Sequence, residues 1–335
     1  MRTLLITGTS SGFGLSLARL ALAAGHRVIA ADPNPEAVRR ALADAPADRL
    51  SVPSYEQADP GSVTALAEAV LRAHPPDVLV NNAGYGMFGT QLDMPPQLTE
   101  QMFAVNLFGP LRLTQALLPH LRGVGGTVVN LSSIAGRMVF PESGFYAATK
   151  HAIEAASEAL YLENLDANLR VIVVEPGAHA TRFAERASEL SPPRPAEGAH
   201  ASSQPVWDAC KLRALRPEQP PEDVAQAILD ALDNDLPFQR LRVGADASAI
   251  LHLRDLLGDD DWVHFMAWRL SQGRLPSPLA QPQQILDAIA EGDSVGSVYP
   301  ATVAAAAHGF MEPWEACDAG RAALVALARE GFIDL

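Results

Sequence analysis

Short continuous apolar runs alternate with segments of helical spacing along the first 245 residues. Thr3 to Thr7 is an apolar run that ends at a glycine-bearing turn. From Gly12 to Ala24 the apolar positions Leu15, Leu17, Ala18, Leu20, Ala21 and Leu22 follow a helical period, and Gly25 stops it. The same logic predicts strands at Arg27–Ala31, Leu50–Ser54, Asp77–Asn81, Gly126–Leu131, Arg170–Glu175 and Gln239–Val243. Helices are predicted at Pro35–Ala43, Pro60–Ala73, Leu98–Leu121, Tyr146–Asn168 and Glu222–Asp233. Strands alternating with helices imply right-handed crossovers and a parallel sheet covered on both faces. The expected fold is α/β, a doubly wound, Rossmann-like sheet of about seven strands.

Two stretches break this rhythm. Arg182 to Pro221 is rich in Pro, Ser, Ala and Glu, and its length suits a substrate lid. Beyond Ala245 the pattern is helical: Ile250–Leu257, Trp262–Leu270, Gln283–Glu291, Ala301–Gly309 and Glu315–Glu330, with a proline-bearing linker at Ser271–Pro282. We expect a Rossmann-like domain over 1–272, with 182–221 as its lid, and a helical C-terminal extension over 273–335.

Composition narrows the function. The formal net charge of −14, with no basic stripe, argues against a nucleic-acid partner. Two distant cysteines, Cys210 and Cys317, give neither a disulfide framework nor metal-ligand spacing. The apolar run at the N-terminus is too short for a signal peptide or a membrane span, and no later stretch is long enough. The expectation is a cytoplasmic protein that needs no metal.

Candidate chemistry concentrates at two places. Thr7-Gly8-Thr9-Ser10-Ser11-Gly12-Phe13-Gly14 joins a strand to a helix. Gly8 allows a tight turn, Gly12 lets backbone approach a pyrophosphate, and Gly14 allows close helix packing, with the helix N-terminus facing the anion. Asp32 closes the next strand, where a carboxylate accepts hydrogen bonds from the adenosine ribose and repels a 2′-phosphate, so NAD is expected over NADP. The second place is Tyr146, four residues before Lys150 and therefore on the same helix face. Only two lysines occur in the chain, Lys150 and Lys211. A buried ammonium beside a phenol is expected to bring the phenol's pKa below its ordinary value of about 10.

Together these motifs resemble those of the short-chain dehydrogenase/reductase family. TGTSSGFG at 7–14 is similar to its cofactor signature, NNAG at 81–84 to its strand-four motif, and YAATK at 146–150 to its active-site helix. VNLSSIAG at 129–136 matches its catalytic-serine segment, and FAVNLFGPL carries Asn106 where the family has its catalytic asparagine. The match runs from residue 3 to about 245. The resemblance implies that Tyr146 passes the proton, Lys150 tunes it and holds the nicotinamide ribose, Ser133 bonds the substrate oxygen, and Asn106 anchors a water chain. It implies cofactor contacts from Gly8, Ser10, Ser11, Gly12, Phe13, Gly14, Asp32, Asn82, Ala83 and Gly84. Pro176 and Gly177 would cover the nicotinamide and Thr181 would hold its carboxamide. Tyr55-Glu56-Gln57 departs from the family's usual aspartate beside the adenine, with Glu56 as its substitute.

Met138, Phe140, Phe145 and Phe183 suggest an apolar substrate pocket, or ordinary loop packing. His179 either orients a polar substrate group or is structural, and Trp207 touches substrate or staples the lid. The loop after Gly177 is similar to that of hydroxysteroid and retinol dehydrogenases. The reading is therefore an NAD-dependent enzyme interconverting a lipophilic secondary alcohol and ketone. Competing readings are a ketoreductase of lipid or polyketide metabolism and a non-catalytic NAD-sensing regulator. Small residues along the Tyr146 helix, from Ala147 to Ala159, suit the family's subunit interface, so a homodimer or homotetramer is expected.

Overall fold

A computed structural model of the chain describes residues 1–192, 219–257 and 259–270. These fall into two compact units, residues 1–192 with 219–243, and the described residues from 244 to 270.

The first unit is a seven-stranded sheet: β1 (Thr3–Thr7), β2 (Arg27–Ala31), β3 (Leu50–Ser51), β4 (Val78–Asn81), β5 (Thr127–Leu131), β6 (Arg170–Pro176) and β7 (Phe238–Val243). All pairs are parallel, in the order β3-β2-β1-β4-β5-β6-β7. The strand order reverses between β1 and β4, which opens a crevice at the strands' C-terminal ends. The expected doubly wound fold is the one observed. Each strand is a near-continuous apolar run because helices bury both faces.

Alternate residues serve the two faces. Leu4, Ile6, Val28 and Val80 pack with Leu17 and Ala18 of α1 (Gly12–Ala23), Val38 of α2 (Pro35–Ala41), and Val224 and Ile228 of α8 (Pro221–Leu232). Leu5, Ile29, Leu79 and Val128 pack on the other side with Val63 of α3 (Pro60–Ala73) and Leu113, Leu117 and Leu121 of α5 (Gly109–Val124). A line of buried amides crosses this core. Asn81 Nδ2 donates to Asn130 Oδ1 at 2.8 Å and to Thr114 Oγ1 at 3.0 Å. Asn130 Nδ2 donates to Ser157 Oγ at 2.8 Å on α6 (Gly144–Leu162), so the sheet and two helices share one register.

Three details differ from expectation. The single helix expected over Leu98–Leu121 is α4 (Pro96–Phe103), a π-helical segment over Ala104–Phe108, and then α5. At the junction a Cβ on Gly109 would lie 2.3 Å from Gln57 Cγ, so the helix can pass Gln57 only as glycine there. Helix α6 runs from Gly144 to Leu162 rather than from Tyr146 to Asn168, with turns over 163–168. The lid region contains a short helix, α7 (Phe183–Leu190), with a single buried side chain, Ala187. The rest of that region, including Trp207, lies outside the described residues, as do the helices expected beyond Leu270.

In the second unit, α9 (Ala245–Leu257) and α10 (Asp259–Leu270) form the helices expected near Ile250 and Trp262. Trp262 and Phe265 are buried with ring centroids 6.0 Å apart. Among the described residues no helix is long and apolar enough to cross a membrane.

Leu79 has no exposed surface at the centre of the sheet. Leu79→Ala should therefore lower unfolding free energy by about 2–5 kcal/mol, read from the urea midpoint.

Candidate active site

The sheet's C-terminal edge collects the predicted residues. At the β1–α1 turn, Gly8 and Gly12 adopt positive φ, +72° and +57°. A Cβ on Gly14 would sit 2.3 Å from the Gly8 carbonyl oxygen, which is how closely α1 is drawn onto the turn. Asn82 fastens that turn from the next crossover: its Nδ2 donates to the carbonyls of Thr7 at 2.7 Å and Gly8 at 3.0 Å. Thr7 Oγ1 in return accepts from the amides of Asn82 and Ala83. Ser11 is the residue before α1, it makes no side-chain cap, and the first turn carries no acidic residue. The free amides at this helix end are thus open to an anion.

Asp32, buried, accepts from the Ser10 amide through Oδ2 and the Asn34 amide through Oδ1, both at 2.8 Å. These bonds hold the carboxylate at the end of β2 with lone pairs to spare. Glu56 follows on the next loop, its Oε1 accepting from the Ala58 amide at 3.2 Å. Its neighbour Gln57 has a structural task that spacing did not reveal. Its Nε2 donates to Ala83 O at 3.0 Å and Val105 O at 2.7 Å, tying the 81–84 turn to the π-helical segment.

Asn106 lies in that segment. Its Oδ1 accepts from the Tyr85 amide at 3.0 Å, and its Nδ2 donates to Tyr85 O at 2.8 Å and Thr149 Oγ1 at 3.2 Å. Gly84 sits between Asn106 and Lys150, where a Cβ would be 3.2 Å from Asn106 Oδ1 and 3.7 Å from Lys150 Nζ. Lys150 is buried and donates to Leu131 O at 2.6 Å, with Nζ 5.8 Å from the Tyr146 ring centroid. Ser133 caps a 3₁₀ turn over Ile134–Gly136, its Oγ accepting from the Ala135 amide at 3.1 Å, and it lies near enough to the Tyr146 phenol to favour its ionised form. The structure thus brings Asn106, Ser133, Tyr146 and Lys150 together around the mouth of the crevice.

One expectation fails. Burial pushes the Tyr146 phenol up to about 12, and the nearby Ser133 side chain opposes this only in part. Tyr146 is half-buried by surface, yet protein packed around its hydroxyl penalises phenolate. Burial also pulls Lys150 down to about 8, against the opposing pull of Glu154 one turn on. The site favours a neutral phenol over the easily ionised one that spacing suggested.

The apolar side of the site includes residues that sequence reasoning missed. Met87, Met94 and Met102 form a buried cluster against which Tyr85, Leu98, Phe145 and Tyr146 pack. Phe183 lays its ring 5.3 Å from Tyr146. Met138 is buried behind the 3₁₀ turn, and Phe140 is half-buried with its carbonyl accepting from Ser143. Thr181 reaches back to the glycine turn, where a Cβ on Gly12 would meet its methyl at 3.6 Å. His179 packs edge-on against Phe13 at 5.3 Å. Pro176 and Gly177 stay at the edge of the sheet, with the Gly177 amide bonded to Val243 O at 2.9 Å.

Glu175, fully buried at the end of β6, has Arg137 at 3.3 Å, Arg240 at 3.6 Å and Arg242 at 3.4 Å. Burial still raises its pKa, helped by nearby Glu154, because these contacts are long for hydrogen bonds.

A sequence model described as short chain dehydrogenase matches residues 2–191. The chain belongs to the short-chain dehydrogenase/reductase family. It is 37% identical over 182 residues to the uncharacterized oxidoreductase YusZ of Bacillus subtilis, a match covering 53% of this chain and 65% of that protein. Dehydrogenase/reductase SDR family member 7B of Bos taurus is 35% identical over 237 residues, covering 68% of this chain and 69% of that protein. A short-chain dehydrogenase structure from Streptomyces avermitilis superposes with a TM-score of 0.67 at 34% identity, covering 82% and 98% of the two chains. Family membership makes this protein an NAD(P)-dependent oxidoreductase of alcohol or carbonyl groups. More distant structures of the same fold hold NAD in one case and NADP in another. The glycine cradle fits such a dinucleotide, as do two buried polar atoms without a partner, Thr9 Oγ1 and His179 Nε2.

The Lys150 shift has a sign that unfolding can check. Between pH 8 and 10.5 the unfolded chain holds a proton that the folded chain has released, so raising pH through that window stabilises the fold. Relative to Lys150→Met, the parent should gain on the order of 2–3 kcal/mol across it in urea titrations. A flat difference would show that the ammonium is not desolvated.

Proposed function

We propose that this protein is an NAD-dependent dehydrogenase interconverting a lipophilic secondary alcohol and its ketone. The observation that carries the reading is the packing of Tyr146 among Phe145, Phe183 and the methionine cluster, with Ser133 and Lys150 on its polar side. A substrate oxygen placed at the Tyr146 hydroxyl would meet apolar surface around its carbon skeleton.

Tyr146 gives its proton to the carbonyl oxygen in reduction and takes it back in oxidation. Ser133 donates to the same oxygen as charge develops. Lys150 holds the nicotinamide ribose, and Asn106 fixes the π-helical backbone from which a water chain leads to solvent. The nicotinamide, when bound, supplies or accepts the hydride. Gly8, Ser10, Ser11, Gly12, Phe13 and Gly14 take the pyrophosphate, Asp32 the adenosine ribose and Glu56 the adenine side. Asn82, Ala83 and Gly84 line the adenosine-to-nicotinamide path, while Pro176, Gly177 and Thr181 cover the nicotinamide. Asp32 favours NAD because its carboxylate would repel a 2′-phosphate.

Residues 182–221, which include α7, are assigned as a lid and 273–335 as a C-terminal extension. Exposed Ala148, Ala155 and Ala159 on α6, with half-exposed Phe108, suit a homodimer or homotetramer. Two distant cysteines suit the cytosol.

Absorbance at the NADH band across a panel of lipophilic alcohols and ketones tests the reading. Tyr146→Phe should lower kcat about 10²–10⁴-fold with the fold intact by circular dichroism; turnover near the parent's would sink the proton role. Asp32→Asn, which keeps acceptor oxygen but loses charge, should narrow the ratio of NAD to NADP affinity about tenfold or more. An unchanged ratio would remove Asp32 from cofactor selection.

A further inference from the structure

His179 sits between Gly177 and Thr181 with 7% of its surface exposed. Its Nδ1 lies 3.1 Å from the Gly177 carbonyl oxygen. A carbonyl only accepts, so Nδ1 is the ring's donor here and Nε2 is the nitrogen left to accept. That acceptor is buried and unpartnered. Buried polar atoms are nearly always satisfied, which makes an orphan on a binding loop a sign of a missing donor.

The position of the ring limits what the donor can be. His179 packs on Phe13 of the glycine turn, Thr181 touches the same turn at Gly12, and Phe183 reaches Tyr146. The strap from Gly177 to Phe183 therefore runs from the anion-binding end of the crevice to the end where hydride moves. Diphosphate oxygens are acceptors and cannot satisfy a second acceptor. The donors on the nicotinamide half of a dinucleotide are the carboxamide N–H groups and the ribose hydroxyls. Thr181 Oγ1 accepts from the Phe183 amide at 3.3 Å, which leaves its own proton free to donate. A donor at Thr181 and an acceptor at His179, two residues apart, match the oxygen and nitrogen of one primary amide.

We infer that His179 is a cofactor-specificity residue, its Nε2 accepting a hydrogen bond from the nicotinamide carboxamide. This rests on the dinucleotide reading of the site. It moves His179 from the substrate side, where the sequence had left it, to the cofactor.

Isothermal calorimetry on the full chain tests it with three ligands: NADH, the reduced 3-acetylpyridine analogue, in which a methyl ketone replaces the amide, and ADP-ribose, which lacks the ring. His179→Val should weaken NADH about tenfold and the other two less than about twofold. His179→Gln, which keeps an acceptor, should retain NADH affinity within about threefold, and it decides the matter should the valine variant fail to fold. Unchanged NADH affinity in His179→Val overturns the inference. So does an equal loss for ADP-ribose, which would place the contact on ribose or phosphate, or an equal loss for the acetylpyridine analogue. A His179→Gln protein that loses NADH and ADP-ribose alike overturns it too. If the parent binds none of the three, nor NADPH, the dinucleotide reading fails and this inference falls with it.

Discussion

A lysine side chain is buried here with one backbone carbonyl to receive its ammonium, and much of the site's geometry follows from that constraint. The Leu131 carbonyl, freed at the end of β5, accepts from Lys150 at 2.6 Å. Glu154, one turn further along α6, adds a negative field. Satisfying the ammonium in this way fixes the rotation of α6 against the sheet. The rotation in turn sets where the Tyr146 phenol meets Ser133. Asn106 and Gly84 close the remaining side, where a Cβ at 84 would press on Asn106 Oδ1 at 3.2 Å. The chemistry proposed for Tyr146 would thus rest on an arrangement set by the solvation of Lys150.

The same economy of polar groups recurs below the site. Asn81, Asn130, Thr114 and Ser157 replace apolar contacts with a directed line of bonds from β4 through β5 to α5 and α6. Apolar packing alone tolerates sliding, whereas a donor–acceptor line tolerates one register. Glu175 and its three arginines do the equivalent job at β6 and β7, just before the turn that carries Gly177.

Much of this was legible in the sequence. The strands read as uninterrupted apolar runs because both faces are covered, and the order of elements then left one topology. The glycine turn was legible because positive φ at Gly8 and Gly12 favours glycine, and motif spacing made it legible that Asp32, Asn106, Ser133, Tyr146 and Lys150 would gather at one edge of the sheet. The π-helical segment was not, since it arises from Gln57, 47 to 51 residues earlier, pressing on Gly109 and bonding Val105. Met87, Met94 and Met102 have no shared period and meet only through the loop before α4. Helix α7 escaped notice because it buries only Ala187. The direction of the Tyr146 shift was hidden for a different reason: spacing tells which charges are near, and says nothing of how much water is gone.

Helix α8 and strand β7 give the domain its last structural dependence. Residues 2–191 carry the family signature, yet Val224, Ile228 and Leu232 from beyond it lie in the same core as β1 and α1. Arg240 and Arg242, further still along the chain, neutralise a carboxylate that has no contact with solvent. A ribosome that has released only the signature segment has therefore made a sheet lacking its outer strand, with an acid at its edge that keeps Arg137 but lacks two of its three arginines, and an uncovered oily face. Completion of the domain waits on the chain's return at Pro221, so the segment between α7 and α8 can vary only while it still delivers α8 to α1.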